Sequence, residues 1–320
     1  EVSYTKTHYY SVLNYFLGTV LLGFQINLFG AILIPFTQYT NLSSFHIELV
    51  STLAYVGLGL GYILPGFIDK YFYREGFLKV NIMFLCLSTL LSALSFDSNL
   101  FYFLRFVNGF TAAMIQETTQ NIFTEVVPLK YRVLIILIAG TGDQISGLFM
   151  YIVIYFAMPG YNPKELPIFM QSIFIVTFLL CIIMMFTLED SARNLIIRGK
   201  THQGLEIYRR ILSTEDMVLT KTLSEEIVLH LKKEAEIPKS TYFDIIKPNL
   251  LGLSIKILTL VFLASAQFYG AQLIYTQTLN RVNVLTDSQV TTSNIISYFL
   301  TMTSVIVIGL LSESKRELPL

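Results

Sequence analysis

The sequence is poor in charge, histidine and cysteine. Only 14% of its 320 residues are Asp, Glu, Lys or Arg, well below the roughly 25% that is usual in soluble proteins. Its two cysteines, Cys86 and Cys181, imply no disulfide framework, and its four histidines have no metal-ligand spacing. The phosphate-binding pattern Gly-x-x-x-x-Gly-Lys is absent from the sequence. We therefore predict no enzyme, no cofactor, no metal site and no ATP-driven pump.

Long apolar runs dominate what is present. Hydrophobic residues make up 53% of the chain, and its mean hydropathy is +0.60. Runs of about 20 residues cross roughly 30 Å of hydrocarbon as helices, and the alternation that marks a barrel strand is missing. We predict an all-α polytopic membrane protein. Its eight spans are placed at about residues 10–36, 49–67, 77–96, 100–123, 133–157, 166–187, 250–275 and 290–311.

A formal net charge of zero hides a strong asymmetry between the two sides of the membrane. If the N-terminus is cytosolic, only Lys164 and Arg281 lie in predicted outer loops, and only Arg105 and Lys256 lie within spans. The other lysines and arginines are all inside, as the positive-inside rule requires. We predict a multi-pass protein of the plasma membrane or an organelle, with its N-terminus and residue 320 on the cytosolic or matrix-equivalent side. The charge gives no indication of a nucleic-acid partner.

The predicted spans form a group of six, a polar interval and a group of two. We predict an N-terminal six-helix bundle over residues 1–187 and a partial C-terminal bundle of two helices over residues 250–320. Residues 188–249 show helical periodicity and predict a cytosolic loop with short amphipathic helices. A plain solvated linker is the alternative for this interval.

Several strings resemble those of the major facilitator superfamily. Arg105-x-x-x-Gly109 followed by Glu125-x-x-Pro128-x-x-x-Arg132 is similar to its fourth-helix signature. Residues 190–195, Asp-Ser-Ala-Arg-Asn-Leu, resemble the string after helix six in sugar porters and organic-ion transporters. Residues 240–248 and 268–270 resemble their strings before and within helix seven. The closest resemblance is to the organic-ion transporter, sugar porter and synaptic-vesicle-glycoprotein-like branch.

Two departures from the superfamily bear on function. Its loop between helices two and three is reduced here to Asp69-Lys70 with Arg74, and Pro65 stands at the first glycine position. Members of the superfamily have twelve spans, whereas this sequence ends just after its eighth. Either the last four helices lie outside this sequence, or the protein lacks them, in which case two halves could not rock around a fixed site.

The resemblance implies a set of gating residues. Arg105 is implied to couple helix movement or proton transfer, although it could instead reach the outer surface of the membrane. Charges at the cytosolic ends of the helices are expected to form networks that lock one conformation; ordinary surface pairs, worth roughly 0 to 1 kcal/mol each, are the alternative. The predicted gating residues are Asp69, Lys70, Arg74, Arg105, Gly109, Glu125, Pro128, Arg132, Asp190 and Arg193.

Polar groups inside the spans are the candidates for a solute site, because such groups are costly in lipid. Glu117 and Lys256 lie at similar predicted depths and could pair or share a solute, although Glu117 could pair with a neighbouring helix and Lys256 could reach the inner interface. Asp143 could bind a proton or a cation, or only stabilise helices through hydrogen bonds. The uncharged candidates are Gln25, Asn27, Gln144 and Gln267, whose amides could also join helices.

These features predict a secondary transporter that moves a small polar or charged organic solute across a membrane by alternating access. A coupled proton or cation is an expected co-substrate, and the lipid bilayer is the expected partner. The alternative is a transport-inactive structural subunit of a larger membrane complex, for which the mitochondrial inner membrane is a candidate location. A nutrient sensor is a third hypothesis.

Overall fold

The computed structural model describes residues 5–40, 44–68, 72–94, 98–212, 221–236, 247–260, 262–263 and 287–316. These residues form helices with a few turns, and no strand occurs among them, which confirms the all-α prediction. The chain divides into two compact units, and the first comprises residues 1–219 with 287–320. The second unit comprises residues 220–286.

The first unit contains most of the long helices. They are α1 Lys6–Thr40, α2 Ser44–Ile68, α3 Arg74–Leu94, α4 Ser98–Val126, α5 Leu129–Gly140, α6 Gly142–Ala157, α7 Leu166–Thr187, the short α8 Ala192–Ile197 and α9 Thr201–Leu212, and later α12 Asp287–Arg316. The second unit contains α10 Lys221–Glu236 and the apolar α11 Pro248–Leu260. The division of the chain into two bundles and a loop stays a prediction.

Six helical stretches of the described residues are long and apolar enough to cross a membrane. They are Lys6–Ile32, Leu49–Phe67, Arg74–Leu94, Arg132–Ala157, Pro163–Thr187 and Gln289–Leu311, and each overlaps a predicted span. The fourth predicted span forms α4, which is 29 residues long but contains Arg105 and Glu117. The seventh is described only as α11 and residues 262–263, and the rest of it lies outside the described residues. The protein is an integral multi-pass membrane protein.

The fifth predicted span is broken into α5 and α6 at Thr141. The Thr141 N–H donates to the carbonyl of Ile138 at 3.1 Å, a 3₁₀-type contact that ends α5. A Cβ at Gly142 would overlap Thr19 Oγ1 and approach the backbone of α1. Glycine at this position therefore allows the start of α6 to pack closely against α1. The break places Asp143 in the first turn of α6, against α1.

Helix α4 packs against α1, α2 and α3, and α1 also packs against α6 and α7. The main core lies between these helices and is rich in aromatic rings: Phe36 and Phe101 are fully buried and stack with centroids 4.7 Å apart. Helix α12 packs against α5 and α6. The core therefore joins the helices of the N-terminal group, and α12 borders the side of that group where α6 lies.

Glycines set the close approach of α2 to α4. A Cβ on Gly57 or Gly61 would overlap the carbonyl of Phe106 or Phe110, and a Cβ on Gly109 would overlap the carbonyl of Ala54. Helices in membranes commonly use small residues four apart to bring backbones together in this way. Gly109, predicted to have a gating role, thus contributes one side of a tight helix crossing.

The thiols of Cys86 on α3 and Cys181 on α7 lie within interaction range of each other. Both cysteines are reduced in the structure, and Cys181 is buried. Nothing in the sequence indicated that these two residues lie near each other. Their proximity gives a chemical marker for the packing of α3 against α7.

Oxidation by copper phenanthroline should join Cys86 to Cys181 within one chain, because α3 packs against α7 and thiols on neighbouring helices that lie within interaction range can reach disulfide geometry with little backbone movement. We expect the number of thiols that react with polyethylene-glycol maleimide after denaturation to fall from two to none. The Cys181→Ser variant should keep its one labelled thiol under the same treatment. Two labelled thiols in the oxidised parent protein would contradict the packing of α3 against α7.

Candidate solute site and cytosolic charge cluster

Asn27 is the centre of a polar cluster between three helices. Its side chain is 2% exposed, and its amide nitrogen lies 3.0 Å from Asp143 Oδ1 and 3.2 Å from Ser146 Oγ on α6. The Tyr298 hydroxyl on α12 donates to Asn27 Oδ1 at 2.9 Å. We call Asn27, Asp143, Ser146 and Tyr298 the Asn27 cluster. It joins a polar residue of α1 to the only carboxylate of α6.

Two glycines make room for this cluster. A Cβ at Gly23 on α1 would overlap Ser146 Oγ and approach Asp143, and a Cβ at Gly147 on α6 would overlap the ring of Tyr298. Glycine at both positions lets α1 and α12 approach α6 closely. The Tyr298 ring also lies 5.7 Å, centroid to centroid, from the ring of Tyr151. The cluster is therefore bounded by aromatic surface on its α12 side.

Arg105 lies inside the bundle and is 1% exposed. Its Nη2 donates to the backbone carbonyl of Gln25 on α1 at 2.8 Å, and the Gln25 side chain is equally buried. Tyr55 on α2 lies within electrostatic range of both Arg105 and Asp143. The structure therefore gathers Gln25, Asn27, Arg105 and Asp143 around α1, and it excludes the alternative that Arg105 reaches the surface.

A second group of charges lies where α3 begins, α4 ends and α8 begins. Arg74 Nη1 pairs with Glu125 Oε2 at 2.7 Å, and Ser191 Oγ donates a hydrogen bond to the same carboxylate oxygen. The Asp190 carboxylate accepts from the Ser191 N–H at 2.8 Å and from Asn194 Nδ2 at 2.9 and 3.0 Å. We call Arg74, Glu125, Asp190 and Ser191 the cytosolic charge cluster, after the side of the membrane that the distribution of lysine and arginine predicts for it. Three of its members are predicted gating residues.

Burial dominates the electrostatics of Asp190 and raises its pKa above the usual aspartate value, against the opposing effects of Asn194, the Ser191 N–H and Arg74. A carboxyl whose pKa is higher in the folded state than in the unfolded state stabilises the fold most when protonated. Its contribution is lost as the pH rises from the ordinary aspartate pKa through the raised one. The hydrogen bonds from Asn194 and Ser191 limit that loss.

The remaining gating candidates are not members of the cytosolic charge cluster as defined above. Arg132 donates to the Val127 carbonyl at 3.0 Å, where α4 has ended, and Pro128 precedes the first residue of α5 with an extended backbone, φ −57° and ψ 143°. Arg193 is partly exposed on α8. Asp69 and Lys70 lie outside the described residues.

The other solute candidates are Glu117, Gln144, Lys256 and Gln267. Glu117 on α4 is partly buried and lies within electrostatic range of Tyr15 on α1. The side-chain oxygen of Gln144 is buried and has no hydrogen-bond partner among the described residues. Lys256 is exposed on α11 of the second unit, so its pairing with Glu117 stays a prediction, and Gln267 lies outside the described residues.

Sequence reasoning missed three residues of the site: Tyr55, Ser146 and Tyr298. Tyrosine and serine are common in membrane helices and give no distinctive signal, whereas an aspartate or an asparagine in a span does. Among the described residues, no group of three or more His, Cys, Asp and Glu is arranged to hold a metal ion. The Asn27 cluster offers hydrogen-bond donors and acceptors, one carboxylate and aromatic faces.

Removing either side of the Arg74–Glu125 pair should destabilise the protein by about 1 to 3 kcal/mol, because the remaining charge is largely buried. The side chains are only 11% and 17% exposed. We expect Arg74→Gln and Glu125→Gln to couple by about 1 kcal/mol or more in a double-mutant cycle of unfolding.

The Lys79–Glu75 pair provides the control for this cycle. It lies on α3, with side chains 37% and 40% exposed, and exposed pairs four residues apart couple by only about 0.3 to 0.5 kcal/mol. Equal coupling energies for the two pairs would contradict a special role for the cytosolic charge cluster.

A comparison with known protein families gives a match over most of the chain. The sequence profile of the Major Facilitator Superfamily matches residues 15–320. The chain belongs to this superfamily. The match confirms the resemblance that the strings around Arg105, Glu125 and Asp190 indicated.

One relative within the superfamily is a plant transporter. The chain is 26% identical over 153 residues to organic cation/carnitine transporter 2 of Arabidopsis thaliana, a match that covers 48% of this chain and 28% of that protein. The matched part is thus well under two thirds of the relative's length. The low identity still agrees with the predicted organic-ion branch.

Solved structures of the superfamily show the same fold. The proton:xylose symporter XylE bound to 6-bromo-6-deoxy-D-glucose superposes with a TM-score of 0.73 at 18% identity, covering 95% of this chain and 68% of that one. The partially occluded inward open form of XylE from E. coli gives a TM-score of 0.71 at 19% identity, covering 92% and 71%. At these identities the likeness establishes the fold alone.

Proposed function

We propose that this chain acts as a secondary transporter that moves a small polar or charged organic solute across a membrane by alternating access. The supporting observation is the Asn27 cluster, in which α1 and α6 meet α12. Helix α12 follows the polar interval of residues 188–249 in the sequence. Carriers built from two helical repeats bind their solutes between the repeats. Asp143 supplies the carboxylate of this cluster.

The chemistry of the cluster suits a solute with hydroxyl or amine groups. Asp143 accepts hydrogen bonds and attracts a cation, Asn27 and Tyr298 can both donate and accept, and aromatic rings bind cations through their faces. The similar proteins carry names of such solutes, xylose for XylE and organic cations or carnitine for the Arabidopsis protein. A proton or a cation bound at Asp143 is the coupling ion that we favour.

The cytosolic charge cluster has the role of a conformational latch in this proposal. Arg74, Glu125 and Ser191 tie the ends of α3, α4 and α8 together, and breaking such a network allows helix ends to separate. The orientation with a cytosolic N-terminus, from the distribution of lysine and arginine, puts the latch on the inner face.

The test is solute uptake by the purified full-length protein in liposomes. A panel of labelled sugars, organic amines and carboxylates should include at least one that enters saturably, and Asp143→Asn should reduce its uptake at least tenfold. Glu117→Gln tests the second candidate carboxylate in the same assay. Empty liposomes give the background.

Failure of uptake has a defined meaning. If no member of the panel enters, and Asp143→Asn and Glu117→Gln leave the protein's cellular role intact, the transporter proposal is wrong. Recovery of the protein in a larger membrane complex at fixed stoichiometry, together with absent uptake, would favour the structural subunit.

A further inference from the structure

Tyr161 connects α6 to α7 in a backbone conformation that L-residues rarely adopt. It is the last residue of a single helical turn, Pro159–Tyr161, and its φ is 50°. Among the described residues it is the only one besides glycine with a positive φ. The left-handed conformation costs free energy for any residue with a Cβ, and it persists only where the surrounding contacts hold it. The contacts of Tyr161 must therefore favour this conformation.

Burial and a hydrogen bond both hold Tyr161 in place. The residue is 4% exposed and belongs to the main core. Its hydroxyl accepts a hydrogen bond of 3.3 Å from Thr291 Oγ1. Thr291 is 3% exposed and lies near the beginning of α12. The hydrogen bond therefore joins the connection between α6 and α7 to a helix that is distant in the sequence.

This contact lies at the end of the bundle opposite the cytosolic charge cluster. Helix α4 carries Glu125 of that cluster in its last turn, and α5 begins shortly afterwards at Leu129. The stretch Arg132–Ala157, formed by α5 and α6, is long and apolar enough to cross a membrane. The turn Pro159–Tyr161 follows this stretch directly. Tyr161 and the cytosolic charge cluster therefore border opposite faces of the membrane.

Helix α12 is also most deeply buried at its Thr291 end. Val290, Thr291 and Asn294 are only 1%, 3% and 6% exposed. By contrast, every residue from 295 to 308 is either partly buried or exposed. These positions include Tyr298, which contacts the Asn27 cluster on the same helix. The structure is therefore closed where α12 meets Tyr161 and is packed less tightly from Tyr298 onwards.

We propose that Tyr161 and Thr291 form a gate that closes this end of the solute path. The inference rests on the proposed transport function, because alternating access requires each end of the path to open in turn. Loss of the hydrogen bond lets the first turns of α12 move away from the end of α6 and lets Tyr161 leave its left-handed conformation. Backbone strain at Tyr161 favours the open gate, whereas ring burial and the hydrogen bond favour the closed one. This balance keeps both states accessible.

The opening of the gate can be measured without any solute. The probe is Asn294→Cys in the full-length protein that also carries Cys86→Ser and Cys181→Ser. Asn294 lies one turn beyond Thr291 and is 6% exposed, and its side-chain nitrogen donates to the carbonyl of Val290 in the same helix. A charged maleimide is added to this protein in lipid nanodiscs, and the labelling rate is followed. A closed gate should protect the probe, and an open gate should expose it.

Two substitutions remove the hydrogen bond while nearly keeping the shape of each side chain. We expect Tyr161→Phe and Thr291→Val each to raise the labelling rate of the probe at least about threefold, because the closed gate loses a buried hydrogen bond. They act on opposite partners, so either one that purifies as a monodisperse protein is sufficient. Thr187→Val removes a hydrogen bond of 2.9 Å to Asn14 elsewhere in the bundle and should leave the labelling rate of the probe unchanged.

Two further variants test whether the backbone of Tyr161 changes when the gate opens. Tyr161→Ala and Tyr161→Gly both remove the ring and the hydroxyl, but only glycine adopts the left-handed conformation without strain. The alanine variant should therefore favour the open gate more strongly, and its probe should be labelled at least about threefold faster than in the glycine variant. Lys164→Cys, at an exposed position in the same connection, should be labelled equally fast in both.

Three results would overturn the inference. They are unchanged labelling in both Tyr161→Phe and Thr291→Val, an equal rise in Thr187→Val, or equal rates for Tyr161→Ala and Tyr161→Gly. Uptake measurements keep this inference distinct from the proposed function. The expected labelling rates without uptake of any solute contradict transport alone, whereas saturable uptake with unchanged labelling rates contradicts the gate alone.

Discussion

The Asn27→Leu variant should lose at least about nine tenths of its solute uptake while still reaching the membrane. Leucine removes the amide that lies 3.0 Å from Asp143 Oδ1 and accepts from the Tyr298 hydroxyl at 2.9 Å. Each buried polar group left without a partner costs about 1 to 3 kcal/mol, and a loss of 1.4 kcal/mol at the binding step alone lowers affinity tenfold. Initial uptake rates in liposomes, normalised to folded protein, provide the measurement.

Asn14→Leu is the matched control on the same helix. Asn14 is also buried, at 5% exposure, and exchanges two hydrogen bonds with Thr187 of α7, each of 2.9 Å. The substitution should therefore lower the melting temperature to a similar extent, but it lies outside the Asn27 cluster and should leave the uptake per folded molecule near that of the parent. Similar uptake losses in both variants would show that Asn27 acts only through stability.

The sequence predicts much of the Asn27 cluster because polar side chains are conspicuous in apolar helices. Asn27 and Asp143 were both candidates on that ground, and the structure brings them into contact. Arg74, Glu125 and Asp190 could be placed in one cluster because strings resembling a known family assign them to the ends of neighbouring helices. Both clusters could be predicted because they contain polar or charged residues. Such residues are unfavourable in lipid, or at the end of a helix, unless they have partners.

The pairing of helices could not be predicted from the same information. A rise of 1.5 Å per residue gives the depth of Glu117 along α4, but depth does not give the direction in which its side chain points. The proximity of Cys86 to Cys181 and the approach of Tyr298 to Asn27 both depend on the rotation of one helix against another. That rotation is set by packing, and in α2, α4 and α6 the packing depends on where glycine permits contact between backbones.

Gly57→Leu should give the largest loss of stability. The Cβ of any residue at this position would overlap the carbonyl of Phe106, with the amide of Phe110 also close. These are backbone atoms of α4, which cannot rotate away as the end of a flexible side chain can. Overpacking a core commonly costs about 1 to 3 kcal/mol and sometimes more, and here α2 would have to move away from the helix that holds Arg105. We expect most of the protein to aggregate during extraction in mild detergent.

Gly59→Leu is the control for this variant, because it makes the same change two residues along the same helix. A Cβ at Gly59 meets nothing within 4 Å, and the residue is exposed on the far side of α2, where lipid can accommodate leucine. The yield of monodisperse protein in size-exclusion chromatography should stay near that of the parent. The reciprocal change on α4, Gly109→Leu, should behave like Gly57→Leu, since its Cβ would overlap the Ala54 carbonyl. Equal yields for Gly57→Leu, Gly59→Leu and Gly109→Leu would mean that α2 and α4 do not cross as closely as described.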